Sequence, residues 1–191
     1  RLHHVFGIQG TALSWFRSYL TNRFQMVSIK GTLSEPVELC YGVPQGSVLG
    51  PILFILYMQP FSHVILNHSV CHMLYADDTQ VYKSCNANDL PSTILCIEKC
   101  VSDIKTWMLS NKLQMNEDKT EVLLVTPKRI AKSEPFLEFM NINGTSVKFC
   151  PSLRNLGVTL DSILSLHQHV LNICRGAFLE LRHINSIHNF L

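Results

Sequence analysis

The sequence predicts an α+β fold, in which short antiparallel hairpins are combined with packed helices. Several runs alternate in strand fashion around tight-turn pairs such as Asn143-Gly144, which favours hairpins over crossover connections. Residues 88–110 instead place Ile94, Ile97, Val101 and Ile104 at helical spacing. With 47% hydrophobic and 16% charged residues, the 191-residue chain has the composition of a packed globular protein. Strands and helices are interspersed along the chain, which is typical of the α+β class.

In the first part of the chain, a helix is predicted over residues 11–20, with Thr11 as its N-cap. Residues 23–29 alternate like a strand, and Lys30-Gly31 turns the chain so that residues 37–41 pair back. Residues 42–47 are predicted to form a loop. Pro51 then occupies the first turn of a helix that ends near Met58 or Gln59.

In the later part, residues 70–76 and 79–83 are predicted to form a hairpin with Asp77-Asp78 at its tip. The remaining elements follow in order: a helix over 88–110, a strand over 121–125, a hairpin of 139–142 with 145–149, a strand over 153–160 and a helix over 165–186. The helix predictions rest on apolar residues at a period of 3.6, and the strand predictions on alternation.

Composition excludes few functional classes. A net charge of +2 is too small to indicate nucleic-acid binding by itself. Seven cysteines without a CxxC pair favour reduced thiols in an intracellular protein, and His167 with His169 lacks the cysteines or carboxylates of a metal site. The most apolar run, residues 48–58, is too short to span a bilayer and contains a proline. It predicts a buried helix and no membrane partner.

Two adjacent carboxylates, Asp77 and Asp78, end a stretch from Leu39 to Ala76 that has no Asp, Glu, Lys or Arg. Aspartate is a common turn residue, so both side chains pointing into water is one interpretation. The other is a metal site. Apolar flanking strands would be buried and rigid, and carboxylate oxygens on a rigid platform suit Mg²⁺ acting on phosphates.

The loop over residues 42–47, GVPQGS, also has two interpretations. It is either an ordinary entry to the following helix or a segment that approaches a substrate closely. Gly42 and Gly46 permit close backbone approach, Pro44 stiffens the loop, and Gln45 offers both a donor and an acceptor. A glycine-bearing loop and an acidic hairpin in one apolar region fit a phosphoryl-transfer site.

The sequence around these two segments resembles that of a known protein family. YGVPQGSVLGPILFILYM followed by LYADD resembles motifs B and C of a reverse transcriptase of the non-LTR (LINE-type) retrotransposon class. WMLSNKLQMNEDKTEVLLV resembles the motif D region, and NLGVTLD resembles the segment that leads into the thumb. GIQGTALSWFRSYLTNRFQMVSIKG resembles the segment between motifs A and B. The resemblance covers nearly the whole chain.

The resemblance implies part of a right-hand polymerase palm, an antiparallel sheet with packed helices, over residues 1–150. Residues 151–191 would form the palm–thumb junction and the beginning of the thumb. In the family, the motif C aspartates hold two Mg²⁺ ions, with Mn²⁺ as an alternative, which here assigns metal binding and catalysis to Asp77 and Asp78. Tyr75 and Ala76 would lie beside the primer end.

The other site residues also come from the resemblance. Gly42, Pro44, Gln45 and Gly46 would contact the template strand and the incoming nucleotide. Lys119 matches the motif D lysine, a candidate proton donor to pyrophosphate, although an ordinary surface lysine is an equally good interpretation. The implied partners are an RNA template, a DNA primer and deoxynucleoside triphosphates. The implied location is the cytoplasm and nucleus, within a retrotransposon ribonucleoprotein.

The third carboxylate of the family lies in motif A, and no Asp or Glu precedes Glu35 here. We therefore expect the chain alone, without motif A and the fingers, not to polymerise DNA. Two functional classes remain open. One is an RNA-directed DNA polymerase domain that performs two-metal nucleotidyl transfer in the intact protein. The other is an inactive retrotransposon remnant with at most nonspecific RNA or DNA binding.

Overall fold

The computed structural model describes residues 1–127 and 138–188. The chain divides into two compact units, Arg1–Gln114 and Met115–Leu191. Each unit contains both helices and antiparallel strands, so the α+β prediction is confirmed. Within the described residues, no helix is both long and apolar enough to cross a membrane.

The first unit begins with helix α1, Gly10–Leu20. Its N-cap is Gln9, and the cap makes no side-chain hydrogen bond, so the prediction of Thr11 as N-cap is wrong. Gly10 adopts a φ of +59°, a conformation that glycine takes at little steric cost. The N-cap therefore lies two residues earlier than the Thr11 signal indicates.

A long hairpin follows α1. Strand β1, Phe24–Gln25, pairs with β4, Val37–Glu38, and strand β2, Ser28–Ile29, pairs with β3, Thr32–Leu33. The predicted turn at Lys30-Gly31 and the return pairing are confirmed, but the predicted single strand over 23–29 is divided into two. The division falls beside Val27, whose N–H donates to the Ser34 side chain at 3.0 Å instead of to a backbone carbonyl.

The core of the first unit is helical. It consists of α2, Gly50–Met58, α3, Phe61–Leu66, and α4, Leu90–Ser110, with a short 3₁₀ turn at Ala87–Asp89. Pro51 lies in the first turn of α2, as predicted. The sequence did not predict α3 as a separate helix. The buried apolar residues of this core are Leu53, Met58, Phe61, Ile65, Val70, Ile94, Cys100 and Ile104.

Helix α2 is buried on one side only. Leu53 is buried, whereas Ile52 and Ile55 are 53% and 63% exposed. The helix is apolar all round, and the unit supplies packing partners for one face, so the prediction of a buried helix is half wrong. The Tyr57 hydroxyl donates to the Asn111 carbonyl at 2.5 Å, which joins the end of α2 to the end of α4.

The second unit contains two hairpins and a helix: β7 Phe139–Ile142 with β8 Thr145–Lys148, β9 Ser152–Asn155 with β10 Val158–Asp161, and α5 His167–His188. The hairpin at Asn143-Gly144 and the final helix are confirmed. The strand predicted over 153–160 is wrong, because Leu156 and Gly157 reverse the chain with φ values of +44° and +87°. The strand predicted over 121–125 is reduced to one parallel bridge between Val122 and Phe149.

The carboxylate of Asp161 organises the link between β10 and α5. It accepts hydrogen bonds from the backbone N–H groups of Ile163, Ser165 and Leu166 and from the Ser165 hydroxyl, at 2.9–3.1 Å. These bonds, the Ser165 N–H foremost, lower the pKa of Asp161 below its usual 3.8. Leu164 and Leu166 adopt left-handed φ values of +51° and +57°, so the bonds hold a strained segment.

Candidate active site

The acidic hairpin consists of β5, Cys71–Tyr75, and β6, Asp78–Tyr82. Tyr75 pairs with Asp78, so the two residues between the strands are Ala76 and Asp77. The prediction that both aspartates form the tip is therefore wrong by one residue. Asp77 lies in the turn and Asp78 is the first residue of β6, because Asp78 completes the last cross-strand pair with Tyr75.

The two faces of this hairpin differ in exposure. His72, Leu74, Thr79 and Val81 share one face and are half-buried, and α3 packs against β5. The opposite face carries Met73 and Tyr75, 52% and 63% exposed, with Asp78 across from Tyr75. The expectation that the flanking strands are fully buried is wrong, because the described residues of the first unit cover one face only. Asp78 and Tyr75 are consequently presented side by side.

The turn itself is strained. Ala76 has a φ of +52°, whereas Asp77 does not adopt a positive φ. A positive φ at only the first of two turn residues is the pattern of a type II′ turn, a position that favours glycine. An alanine in the left-handed region costs about 1–2 kcal/mol. The strain therefore falls on the residue that separates Tyr75 from the two carboxylates.

Both aspartates are exposed and offer carboxylate oxygens, which are the ligands that hard divalent cations prefer. Neighbouring residues in a turn and a strand can direct two carboxylates toward one cation. In the described part of the chain, no group of three or more His, Cys, Asp or Glu residues is arranged to hold a metal ion. The donor set thus fits a divalent cation but supplies only part of its coordination.

The loop over residues 42–47 is built around a tight turn. The Ser47 N–H donates to the Pro44 carbonyl at 3.3 Å, and Gly46 has a φ of +76°. This combination is a type II turn with glycine at the position that demands a positive φ. Gly42 also has a positive φ, +78°. The two glycines of GVPQGS are therefore required by backbone conformation.

Two interactions fix this loop at its ends. The Arg23 guanidinium donates to the carbonyls of Tyr41 and Gly42 at 3.2 and 2.7 Å, and to the Leu20 carbonyl at 3.1 Å. At the other end, the Gly50 N–H donates to the Ser47 hydroxyl at 3.1 Å. Arg23 thereby joins the end of α1 to the start of the loop. Sequence reasoning missed it, because an arginine beside a strand carries no signal of a distant carbonyl partner.

Gly50 supports the same arrangement through packing. A Cβ on Gly50 would lie 3.2 Å from the Ser47 hydroxyl oxygen and 3.6 Å from the Pro44 carbonyl oxygen. The loop therefore packs closely on the first turn of α2. This contact identifies the loop as a rigid entry to the helix, and rigidity is also what a substrate-binding backbone needs.

Lys119 belongs to the second unit, where it ends a 3₁₀ turn, Glu117–Lys119. Its backbone N–H donates to the Asn116 side chain at 3.3 Å, and its own side chain is exposed. An exposed ammonium suits both interpretations of Lys119, so its catalytic role stays a prediction. A shared phosphoryl-transfer site would require the tip of the acidic hairpin to lie close to the loop over residues 42–47, and this proximity also stays a prediction.

Exposed paired carboxylates can bind divalent cations, and a rigid glycine turn lets a phosphate approach the backbone closely. The family model described as reverse transcriptase (RNA-dependent DNA polymerase) matches residues 2–160. The chain therefore belongs to the reverse transcriptase family. The LINE-type resemblance seen in the sequence is confirmed by this match and by the relatives described next.

Three relatives from Drosophila melanogaster match most of the chain. It is 25% identical to the probable RNA-directed DNA polymerase from transposon BS over 91% of its length. It is 25% identical to the polymerase from mobile element jockey, and 29% identical to the probable polymerase from transposon X-element, each over 82% of its length. The chain spans 17–19% of the length of these relatives. No solved structure matches the chain significantly.

Proposed function

We propose that this chain is the catalytic-palm part of an RNA-directed DNA polymerase of a non-LTR retrotransposon. The observation that carries the proposal is the acidic hairpin. Asp77 in the turn and Asp78 at the start of β6 are both exposed, directly after Tyr75-Ala76, in a chain of the reverse transcriptase family. The partners are an RNA template, a DNA primer and deoxynucleoside triphosphates.

Asp77 and Asp78 would hold divalent cations, Mg²⁺ or Mn²⁺, through their carboxylate oxygens. When bound, such cations activate the primer 3′-hydroxyl and neutralise charge on the leaving pyrophosphate. The hairpin supplies one group of ligands, and the remaining oxygens must come from the nucleotide and from another polypeptide segment. The Tyr75 ring, 63% exposed and opposite Asp78, offers a flat surface beside the primer end.

The loop over residues 42–47 would position the template strand and the incoming nucleotide. Gln45 precedes Gly46 in this turn and is exposed, so its side-chain amide can donate and accept hydrogen bonds with substrate. Because Gly42 and Gly46 carry no side chains, a nucleic-acid strand can approach the backbone closely. Arg23 and Ser47 hold the loop before substrate binds, which reduces the entropy lost on binding.

Lys119 would donate a proton to pyrophosphate as it leaves. We assign residues 1–150 to the palm and residues 151–191 to the palm–thumb junction and the beginning of the thumb. This functional division, at residue 150, does not coincide with the division into compact units, whose boundary in the chain lies between Gln114 and Met115. Within a retrotransposon ribonucleoprotein, the protein would act in the cytoplasm and nucleus.

Primer extension on poly(rA)–oligo(dT) with Mg²⁺ or Mn²⁺ tests the proposal. We expect no extension by the 191-residue chain, because Asp77 and Asp78 supply only one side of a two-metal site. A polypeptide that joins this chain to a segment with the motif A aspartate should extend the primer, and its Asp77→Asn variant should not. Extension by the chain alone would contradict the incomplete-site argument. Hybrid binding without extension by the longer polypeptide would favour an inactive remnant.

A further inference from the structure

A shallow cavity of about 430 Å³, wide open to solvent, lies in the first unit between the turn that follows α3 and one face of α4. The turn contributes residues 67–69, and the helix contributes Ser92, Leu95, Cys96 and Lys99. Ser92, Cys96 and Lys99 are three to four residues apart and Leu95 is next to Cys96, so the four residues follow one side of α4 over two turns. The volume is within the range of small-ligand pockets.

The cavity has an excess of positive charge. Lys99 lines it, and the half-buried Lys83 donates a hydrogen bond from Nζ to the Cys96 Sγ at 3.3 Å. No carboxylate lines the cavity, and among the described residues neither ammonium forms an ion pair within 4.0 Å. Lys99 is exposed and Lys83 is half-buried, and a half-buried ammonium without a counter-ion is stabilised by a nearby anion.

The wall around Cys96 is held by a chain of hydrogen bonds. The Cys96 thiol donates to the His68 carbonyl at 3.2 Å, and the His68 ring meets the Asp103 carboxylate at 2.8 Å. Asp103 is thereby engaged by the imidazole instead of by Lys83 or Lys99. The side chain of His68 is only 18% exposed, so its position is fixed by packing as well. The cavity is formed before any ligand arrives.

We propose that this cavity binds a phosphate group. The Lys99 ammonium, the Ser69 hydroxyl and the Asn67 amide supply donors for its oxygens, and Lys83 adds charge from behind Cys96. Ser92 plays a smaller part, because its hydroxyl donates to the Asp89 carbonyl at 2.8 Å. Leu95, 57% exposed, offers apolar surface to an attached sugar or base. The phosphate comes either from a nucleic-acid strand or from a free nucleotide.

This phosphate cavity is separate from the acidic hairpin tip. Ser69 precedes Ala76 by a largely extended segment that includes β5, which corresponds to roughly 20 Å at the rise of a strand. Binding in the phosphate cavity therefore does not require metal at Asp77 and Asp78. The inference stands independently of the proposed polymerase activity, and each can fail without the other.

Protection of Cys96 from alkylation tests the proposal on the purified chain. Iodoacetamide modification of each cysteine would be followed by peptide mass spectrometry, with inorganic phosphate, ATP or a short oligothymidylate as the added probe. We expect slower alkylation at Cys96 and unchanged rates at the exposed Cys40 and Cys174. Burial, with the nearby Cys96 and Asp103, raises the pKa of the Cys100 thiol to about 11, so Cys100 should stay unreactive throughout.

Variants then connect the protection to the cavity. Lys99→Ala should lower the affinity for the protecting probe about tenfold, as expected for the loss of one charge-assisted hydrogen bond. Lys99→Arg should largely restore that affinity. Lys30→Asn is the matched control. It removes one charge from a hairpin turn where Lys30 has a φ of +50°, which asparagine tolerates.

Each outcome decides the proposal. Protection by the oligothymidylate alone identifies a nucleic-acid strand as the source of the phosphate. Protection by ATP or phosphate as well identifies a free phosphate-bearing ligand. If no probe protects Cys96, or if Lys99→Ala and Lys30→Asn lower affinity equally, the phosphate cavity is overturned.

Discussion

The acidic hairpin and the hairpin of β7 and β8 are both closed by two residues, yet their turns are chemically opposite. Asn143 and Gly144 have φ values of +52° and +91°, the pattern of a type I′ turn made from its preferred residues. Ala76 takes a φ of +52° without being glycine, and Asp77 follows it. One turn relieves strain by its sequence, whereas the other retains it beside two carboxylates.

The other two-residue turns of the described chain follow the Asn143-Gly144 pattern. Lys30-Gly31 and Leu156-Gly157 also have positive φ at both positions and end in glycine. Lys30 and Leu156 are non-glycine residues at positive φ, as Ala76 is, so strain at the first turn position is common to three of these turns. Among these four turns, the acidic turn is the one without a glycine, so none of its residues takes a positive φ at little steric cost.

The largest effect should come from removing one carboxylate. In a polypeptide that carries motif A, Asp77→Asn or Asp78→Asn should lower primer extension by at least about 10²–10³-fold, because charge stabilisation at the reacting phosphate is lost. The measurement is single-nucleotide incorporation with Mg²⁺. The control is Asn143→Asp in the other hairpin, which should leave the rate unchanged. Equal losses in both hairpins would mean that folding, and not chemistry, is affected.

Next in size is the cost of removing glycine from the relaxed turn. Gly144→Ala should destabilise the β7–β8 hairpin by about 1–2 kcal/mol, because a left-handed alanine is strained. No atom lies within 4 Å of the position that the new Cβ would occupy, so a clash does not contribute. Hydrogen exchange of the β7 and β8 amides measures the change. An unaltered exchange rate would mean that alanine is not strained at this position, and the two turns would then not differ in strain.

The reverse substitution should have a smaller and opposite effect. Ala76→Gly should stabilise the acidic hairpin by at most about 1 kcal/mol, since the relief of strain is partly offset by the flexibility of glycine in the unfolded chain. Exchange of the β5 and β6 amides reports it. We also expect a lower extension rate, because a freer turn positions Asp77 less well. Destabilisation on introducing glycine would show that Ala76 is not strained.

Loss of Arg23 should loosen the loop over residues 42–47 more than it destabilises the unit as a whole. Arg23→Ala removes the donors to the Tyr41 and Gly42 carbonyls, which remain solvated by water in this exposed region. We expect a local change of about 1 kcal/mol, seen as faster exchange at the loop amides. Arg17→Ala on the exposed side of α1 is the control. If Arg23→Ala and Arg17→Ala change exchange at the loop amides equally, Arg23 does not anchor the loop.

The smallest effect concerns pH. Hydrogen bonds lower the pKa of Asp161 in the folded chain, so their contribution to stability is present above the unfolded value of 3.8 and is lost as pH falls through the lower folded value. The amide signals of Ser165 and Leu166 should therefore titrate below pH 3.8 in an NMR experiment. Asp161→Asn should abolish this titration. A midpoint at or above the ordinary value would contradict the bonding pattern.

Much of the local structure was predictable, because its causes are local. Asn143-Gly144 and Lys30-Gly31 carry the residues that their turn geometry demands, and Pro51 fits the first turn of α2. Leu156-Gly157 was missed because leucine is not a turn residue, although the glycine after it was a usable signal. The strand predicted over 121–125 failed for the opposite reason, since strand-forming side chains do not make a strand without a partner.

The sequence by itself determined the family, the α+β class and the presence of two adjacent carboxylates after an uncharged stretch. Turn chemistry and hydrophobic period act over a few residues, so they can be deduced from the order of residues alone. Tertiary structure decided that Asp78 belongs to β6, that one face of the acidic hairpin is exposed, that Arg23 anchors the 42–47 loop, and that Lys83, Cys96 and Lys99 gather around the phosphate cavity. These features depend on contacts between residues distant in sequence, which exist only once the helices and hairpins have packed.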